Sequence, residues 1–396
     1  MNSTLNDATL AHIPPKLLQI GQCNKRAFED ILLYAHENKL RDIYITSYDH
    51  VRGRLNNNKV LITNETLNNN QVEALLSEAV PTLNRIYTGR STNPNYVLVS
   101  PNNKNDKYNF RICVTKFSYG NEVGIDCAIR PLPDKPKSVE ELGISPKIVE
   151  HLEKMEQGLI LVIGATGSGK TSTIAALQRH TLEQPSHIRI LEFARPVENL
   201  WHKVKIHHSN QIVPHNVSED GKNGDMESYE EAISTSMRKA GDWLSIGEMT
   251  EVESFKASIE MANTGHKVSS TMHANRISAA IARIYNKFPA SERDALIDNL
   301  IEESGILISQ RLYEDTNNGL VACREVLLLD FEIKDSLRQA AAISLGTLRN
   351  EINRWIWQQG TSYYHSALEL LKAGRITEET FNKVVHTYGK YTPREQ

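Results

Sequence analysis

The sequence predicts an α/β protein: an α+β domain over residues 1–130, a linker at 131–138, a parallel-sheet α/β core over 139–335 and a helical segment over 336–396. Three observations predict it. Leu159-Ile160-Leu161-Val162-Ile163 is an unbroken apolar run that leads into the glycine-rich stretch Gly164 to Thr171 and then into helical spacing at Ile174 and Leu177. That is the order of a buried parallel strand, a turn and a helix. Beyond it, apolar strands alternate with helical stretches, the pattern of crossover connections in a parallel sheet. Before it, Arg130-Pro131-Leu132-Pro133-Asp134-Lys135-Pro136 reads as a stiff proline-rich linker.

Residues 1–20, with Pro14-Pro15, read as an extended leader. Phe28, Ile31, Leu32 and Ala35 fall at helical spacing and place a helix over 27–38. Asp42 to Thr46 alternates as a strand, and 51–63 reads as a hairpin turning at Asn56-Asn57-Asn58. Gln71 to Ala79 is amphipathic and follows asparagines, which cap helices well. Residues 96–100, 108–117 and 123–130 are rich in β-formers. After the linker, Ser138-Val139-Glu140-Glu141 has the capping-box pattern, and Ser145-Pro146 puts proline at a first helical position, so each predicts a helix. The candidate strands of the core are 159–163, 188–193, 243–247 and 267–271. Leu337, Ile343, Leu348, Ile352 and Ile356, then Ala367, Leu368, Leu370 and Leu371, mark the C-terminal segment as helical.

Gly164-Ala165-Thr166-Gly167-Ser168-Gly169-Lys170-Thr171 fits G-x-x-x-x-G-K-[ST] without a gap. Its glycines let consecutive backbone N–H groups approach phosphate oxygens with no Cβ in the way, and the helix behind it points its positive end at the same anion. Lys170 is placed to reach the β- and γ-phosphates of ATP, and the Thr171 hydroxyl to help hold Mg²⁺. Trp243-Leu244-Ser245-Ile246-Gly247-Glu248 is a second apolar strand, ending in an acid. Glu248 is therefore the candidate for polarising the attacking water, touching the metal through water. Thr264-Gly265-His266 and Thr271-Met272-His273-Ala274-Asn275 bracket a further strand. His273, at its C-terminal end, is placed to hydrogen-bond the γ-phosphate.

Composition bounds the alternatives. With 40% hydrophobic and 23% charged residues and a net charge of -3, the chain has no global positive field, so nothing indicates contact with DNA. The start of the sequence lacks the pattern of a signal peptide, and no apolar run has the length of a membrane span. The four cysteines are scattered without a C-x-x-C pair, which predicts a reducing cytoplasm and no zinc site. The His-rich piece Trp201 to His215 fits no zinc spacing and reads as solvent-exposed strand and loop.

In order and spacing, Gly-Ala-Thr-Gly-Ser-Gly-Lys-Thr, Ile246-Gly247-Glu248-Met249, Thr264-Gly265-His266 and Ser270-Thr271-Met272-His273-Ala274-Asn275 resemble the Walker A, Walker B and His boxes of secretion ATPases, the motors of type II secretion, type IV pili and type IV secretion. Ile125 to Pro133, Glu140 to Gly143, Ser309-Gln310-Arg311-Leu312 and Leu370 to Thr377 resemble segments of the PilT family. The short N-terminal domain and Ile190-Leu191-Glu192-Phe193 are most similar to the DotB-like and TraJ-like branch of type IVB secretion and plasmid conjugation. The resemblance implies a homohexameric ring and, in each subunit, a PAS-like domain before a RecA-like P-loop ATPase domain. It also implies an ATPase docked on secretion or conjugation machinery, cytoplasmic and peripheral at the inner membrane through protein partners. Arg111 and Arg130 match N-terminal-domain arginines that reach nucleotide phosphates, and Arg238 matches an arginine before the Walker B strand.

The chain also departs from the family. Where the Asp box usually reads Glu-Asp-Pro-x-Glu, this chain has Ala194-Arg195-Pro196-Val197-Glu198, which leaves Glu192 and Glu198 as the candidates to substitute and the second catalytic carboxylate unassigned. Thr250-Glu251 replaces Arg-Asp after the Walker B acid, and Gly241-Asp242 stands where Pro-Asp is common. Three functions stay open: an ATP-hydrolysing secretion or conjugation motor, a nucleic-acid translocase on the same core, and a nucleotide-binding assembly platform that hydrolyses little.

Overall fold

A computed structural model describes residues 17–389 except 56–57, 105, 219–223, 250–251 and 318. Most of the expected leader, the apex of the asparagine hairpin, much of the 219–225 loop, and Thr250-Glu251 lie outside the described residues. The chain divides into two compact units, Met1–Lys135 with Glu198–Leu200, and Pro136–Val197 with Trp201–Gln396.

The first unit opens with α1 (Lys25–Glu37), capped by the Asn24 side chain, which accepts from the Ala27 amide. Then come β1 (Asp42–Thr46), β2 (Asp49–Leu55), β3 (Asn58–Leu67), α2 (Asn69–Ser77), a 3-10 turn (Leu83–Thr88), β4 (Asn95–Val99), β5 (Lys107–Tyr119) and β6 (Glu122–Pro131). Asn68 and Gln71 form a reciprocal capping box that fixes the start of α2. The strands build a six-stranded sheet, β3-β2-β1-β6-β5-β4, antiparallel throughout. Phe28, Ile31 and Leu32 of α1 and Val72, Leu75 and Leu76 of α2 bury their apolar stripes with Ile43, Ile45, Ile112 and Ile129 from the sheet.

The second unit opens with a turn where the sequence predicts a helix. Ser138 and Glu141 do exchange the two capping-box hydrogen bonds, at 2.7 and 3.2 Å. The residues behind them make only a turn, because Gly143 takes a φ of +57° and the Ile144 amide closes back on Val139. The first helix is α3 (Pro146–Lys154), with proline in its first turn. The rest of the unit is β7 (Gly158–Ile163), α4 (Lys170–Glu183), β8 (Arg189–Ala194), β9 (Gln211–Asn216), α5 (Tyr229–Ser236), β10 (Trp243–Glu248), α6 (Val252–Asn263), β11 (Lys267–Met272), α7 (Ile277–Lys287), α8 (Arg293–Glu303), β12 (Ser304–Glu314), β13 (Leu320–Leu328) and α9 to α12 (Phe331–Ile343, Leu345–Gln358, Tyr363–Lys372, Glu378–Tyr388).

Its seven-stranded sheet runs β13-β12-β7-β11-β10-β8-β9. All neighbours are parallel except the β12–β13 hairpin. β7 is buried along its whole length. One sheet face (Leu159, Leu161, Leu191, Leu244, Val268) packs on α6 to α8, while the other (Ile160, Val162, Ile190, Trp243, Ile308) packs on α3 and α4. The far edge is β9, with Pro214 in its middle, opposite Glu192 of β8. Helical spacing at the C-terminus holds, although Ile343 is 75% exposed and not part of the buried stripe. Among the described residues no helix is long and apolar enough to cross a membrane.

Candidate active site

The glycine-rich stretch lies between β7 and α4, at the C-terminal ends of the parallel strands. Gly167 and Gly169 take φ of +77° and +83°, the left-handed backbone a close turn requires. A Cβ at Gly164 would sit 2.4 Å from Ser168 Oγ and 2.6 Å from the Gln310 carbonyl. α4 is left without a side-chain N-cap at Gly169, and the buried Ser168 Oγ has no partner among the described residues. These are open donors around a tight backbone loop, so the residues fit a polyphosphate. Lys170 Nζ folds over the loop and donates to the Gly164 and Ala165 carbonyls at 3.1 and 3.2 Å. Burial lowers its pKa, and the Glu248 charge opposes that shift. Thr171 is exposed in the first turn of α4.

Glu248 reaches this face through a bulge. The β10–β11 register slips between Ile246 and Glu248, so Ile246 pairs with Ser270 and Glu248 with the adjacent Thr271. Without the extra residue, Gly247, Glu248 would face the same way as Ile246, toward the α6 side; with it, Glu248 shares the side of Thr271. Two hydrogen bonds hold the bulge: Thr271 Oγ1 donates to the Gly247 carbonyl at 2.8 Å, and the Met249 amide to the Thr271 carbonyl at 3.0 Å. The Tyr229 hydroxyl takes the Glu248 amide, and the Arg195 guanidinium lies 5.1 Å over the Tyr229 ring. The Glu248 carboxylate meets His273 Nε2 at 3.2 Å, both side chains a little over one-third exposed. Arg283 holds the His273 carbonyl at 2.6 Å. The Gly164 amide donates to the Met272 carbonyl at 3.1 Å, which ties the loop to the strand carrying His273.

Lys170, Glu248 and His273 therefore converge. Glu192 is elsewhere on the same sheet face: it is 4% exposed and accepts from Trp201 Nε1 at 3.0 Å. In the first unit, Arg111 and Arg130 stand directly opposite each other on β5 and β6. Two cations at that spacing repel, and each has an acid: Arg130 Nε donates to Asp42 at 2.7 Å, and Arg111 pairs with Glu198. The His-rich piece is not simply exposed. His215 is 9% exposed and stacks on Phe193 at 5.1 Å, with Lys239 Nζ 3.1 Å from its Nε2. Among the described residues no cluster of three or more His, Cys, Asp or Glu could hold a metal ion.

The profile of the type II/IV secretion system protein family matches residues 22–349. The chain belongs to that family. It is 32% identical over 212 residues to the uncharacterized protein YggR of Escherichia coli (strain K12), covering 53% of this chain and 61% of that one. It is 28% identical over 222 residues to the type IV pilus retraction ATPase PilT of Pseudomonas aeruginosa, covering 56% and 61%. The alignments thus span about three-fifths of each relative. Among solved structures, the Legionella pneumophila ATPase DotB superposes with a TM-score of 0.81 at 21% identity, over 95% of this chain and 100% of that one. The pilus retraction motor PilT with bound ADP superposes with 0.75 at 24%, over 90% and 96%. The two sheets and the helical C-terminal segment are thus the fold of those ATPases.

Sequence reasoning missed three residues that shape this site. Tyr229, Gln310 and Arg324 all bond to it or beneath it. Gln310 and Arg324 stand in the polar pairs Gln310-Arg311 and Arg324-Glu325 beside apolar residues, which marks each as needing a partner but not which partner it takes.

Proposed function

We propose that the chain is the ATP-hydrolysing subunit of a homohexameric motor that energises a type IVB secretion or plasmid conjugation apparatus. The observation carrying this reading is the Glu248–His273 pair at 3.2 Å, beside the uncapped end of α4. The Gly164–Thr171 loop and Lys170 bind the triphosphate; the Thr171 hydroxyl would help hold Mg²⁺, which would supply neutralisation of phosphate charge. The nucleotide supplies a terminal phosphoryl group open to attack by water. Glu248 orients that water and accepts its proton, and the imidazole of His273 steadies the carboxylate and donates to the phosphate. In this reading Arg111 and Arg130 act on phosphate only by giving up Glu198 and Asp42, and Glu192 acts on the water only by leaving Trp201. The fold shared with DotB and the family membership support the motor reading; docking at the inner membrane through protein partners is part of the same proposal.

Glu248→Gln keeps shape and hydrogen bonding but removes the base. Phosphate release should fall about 10²- to 10⁴-fold while ATP still binds. Wild-type turnover in that variant would reject the assignment. A second reading, a platform with weak hydrolysis, has one observation in its favour: Glu192, a candidate for the second carboxylate, is buried and held by Trp201. Absence of turnover in an ATP-binding wild-type protein would select it.

A further inference from the structure

Beneath the phosphate loop lies a buried polar cluster that the hydrolysis reading does not use. Gln310 is 1% exposed on β12, directly across from Arg324 on β13, itself 6% exposed. The Gln310 side chain donates from Nε2 to the Ser168 carbonyl at 2.6 Å and accepts from Thr173 Oγ1 at 2.7 Å and from Arg324 Nε at 3.3 Å. One amide thus grips the loop before α4 and the helix's first turn. Arg324 spends its remaining fork on main chain: Nη2 donates to the Leu142 carbonyl and Nη1 to the Gly143 carbonyl, each at 3.0 Å. Those carbonyls belong to the turn that opens the second unit, after the proline-rich stretch.

Arg324 is a buried cation satisfied by carbonyls and an amide, with no carboxylate in ion-pair contact among the described residues. Burial pushes its pKa down to about 10. An unpaired charge in that position is costly, and an apolar pair would fill the same strand positions at lower cost. A cation fixed below the loop does offer an advantage when a polyphosphate occupies the cradle. It then gains a counter-charge at short range through low dielectric.

We propose that Gln310 and Arg324 form a clamp that couples the 139–144 turn to the shape of the phosphate loop. In this arrangement neither residue touches the nucleotide. Gln310 is a positioning residue acting through Ser168 and Thr173, and Arg324 transmits the position of Leu142 and Gly143 to it. Binding of a triphosphate stiffens the turn, and displacement of the turn loosens the cradle. The proposal rests on the nucleotide-binding reading.

The test compares full-length wild type, Gln310→Leu and Arg324→Lys by ATP–Mg²⁺ affinity and by hydrogen exchange at the Gly143 and Ile144 amides with and without nucleotide. Arg324→Lys keeps a charge but not the fork, and guards against a variant that fails to fold. Gln310→Leu should weaken ATP at least tenfold. Wild type should show at least tenfold slower exchange at residues 143–144 on adding ATP, and both variants should lose that protection. A general loss of stability would lower the melting temperature without removing a nucleotide-dependent difference. If wild type binds ATP but residues 143–144 do not respond, or if Gln310→Leu keeps both affinity and response, the clamp is overturned and the motor reading stands. If wild type binds no ATP, the motor reading falls and takes the clamp with it.

Discussion

Lys170 is a buried cation held by its own loop carbonyls, and its lowered pKa gives it a measurable signature. A bound polyphosphate favours the protonated ammonium, so affinity is full at low pH and falls as pH rises through the pKa of the unliganded protein. That pKa lies below the ordinary 10.5, so ATP affinity should begin to decline at a pH below 10.5, and Lys170→Ala should bind weakly at every pH, both read by fluorescent-nucleotide titration. Of these residues, the phosphate loop was fully legible, because its chemistry lies in a contiguous string. Glu248 and His273 were legible as strand ends, since the sheet must deliver them to the same edge. What stayed hidden is what aims them. The Tyr229 hydroxyl on the Glu248 amide, and the Gln310–Arg324 pair, are contacts between distant residues that no local pattern encodes.

At the scale of elements, strands β7, β8, β10 and β11 were readable from apolar runs, but β9, β12 and β13 were not. β12 follows α8 with no loop between them, and the junction Glu302-Glu303-Ser304-Gly305 is polar, so the sequence shows a break there but no start of a strand. β9 follows a loop crowded with histidines and carries Pro214, both unlike a strand. Gly158 shows how tightly the central strand is set. Its φ is +114°, and a Cβ there would lie 2.8 Å from the Glu303 carbonyl, so Gly158→Ala should cost about 1–3 kcal/mol in chemical denaturation. His215 on β9 gives an element-level pH response. Burial, then Lys239, lowers its pKa below the usual 6.5, while Asp225 opposes them, so the folded state prefers the neutral ring. Its stability contribution is full above 6.5 and is lost as pH falls through that value toward the folded pKa. His215→Gln should flatten the fall of the denaturation midpoint below pH 6.5.

Across the whole molecule, the helical C-terminal segment packs on β13 through Tyr363, Ala367 and Val384, and one buried acid adds a polar tie. Glu325 is fully buried, accepts from Arg276 at 3.1 Å and from the Ile277 amide at 3.0 Å, and Arg276 in turn donates to the Tyr388 carbonyl at 3.1 Å. Glu325→Ala strands a guanidinium and an amide, and should lower stability by about 3–5 kcal/mol by urea titration. Assembly is a separate expectation: mass measured in solution should shift to six subunits on adding ATP and Mg²⁺, and a monomer under both conditions would contradict the ring. Copies crowded into such a ring bring sheet rims near one another, and a bare rim invites illegitimate strand exchange. Pro214 withholds a main-chain donor midway along the exposed border strand, opposite Glu192. The same imino acid that disguises β9 in the sequence thus acts as a guard against fibrous stacking, and replacing it with valine should shorten the lag before turbidity appears in concentrated solution.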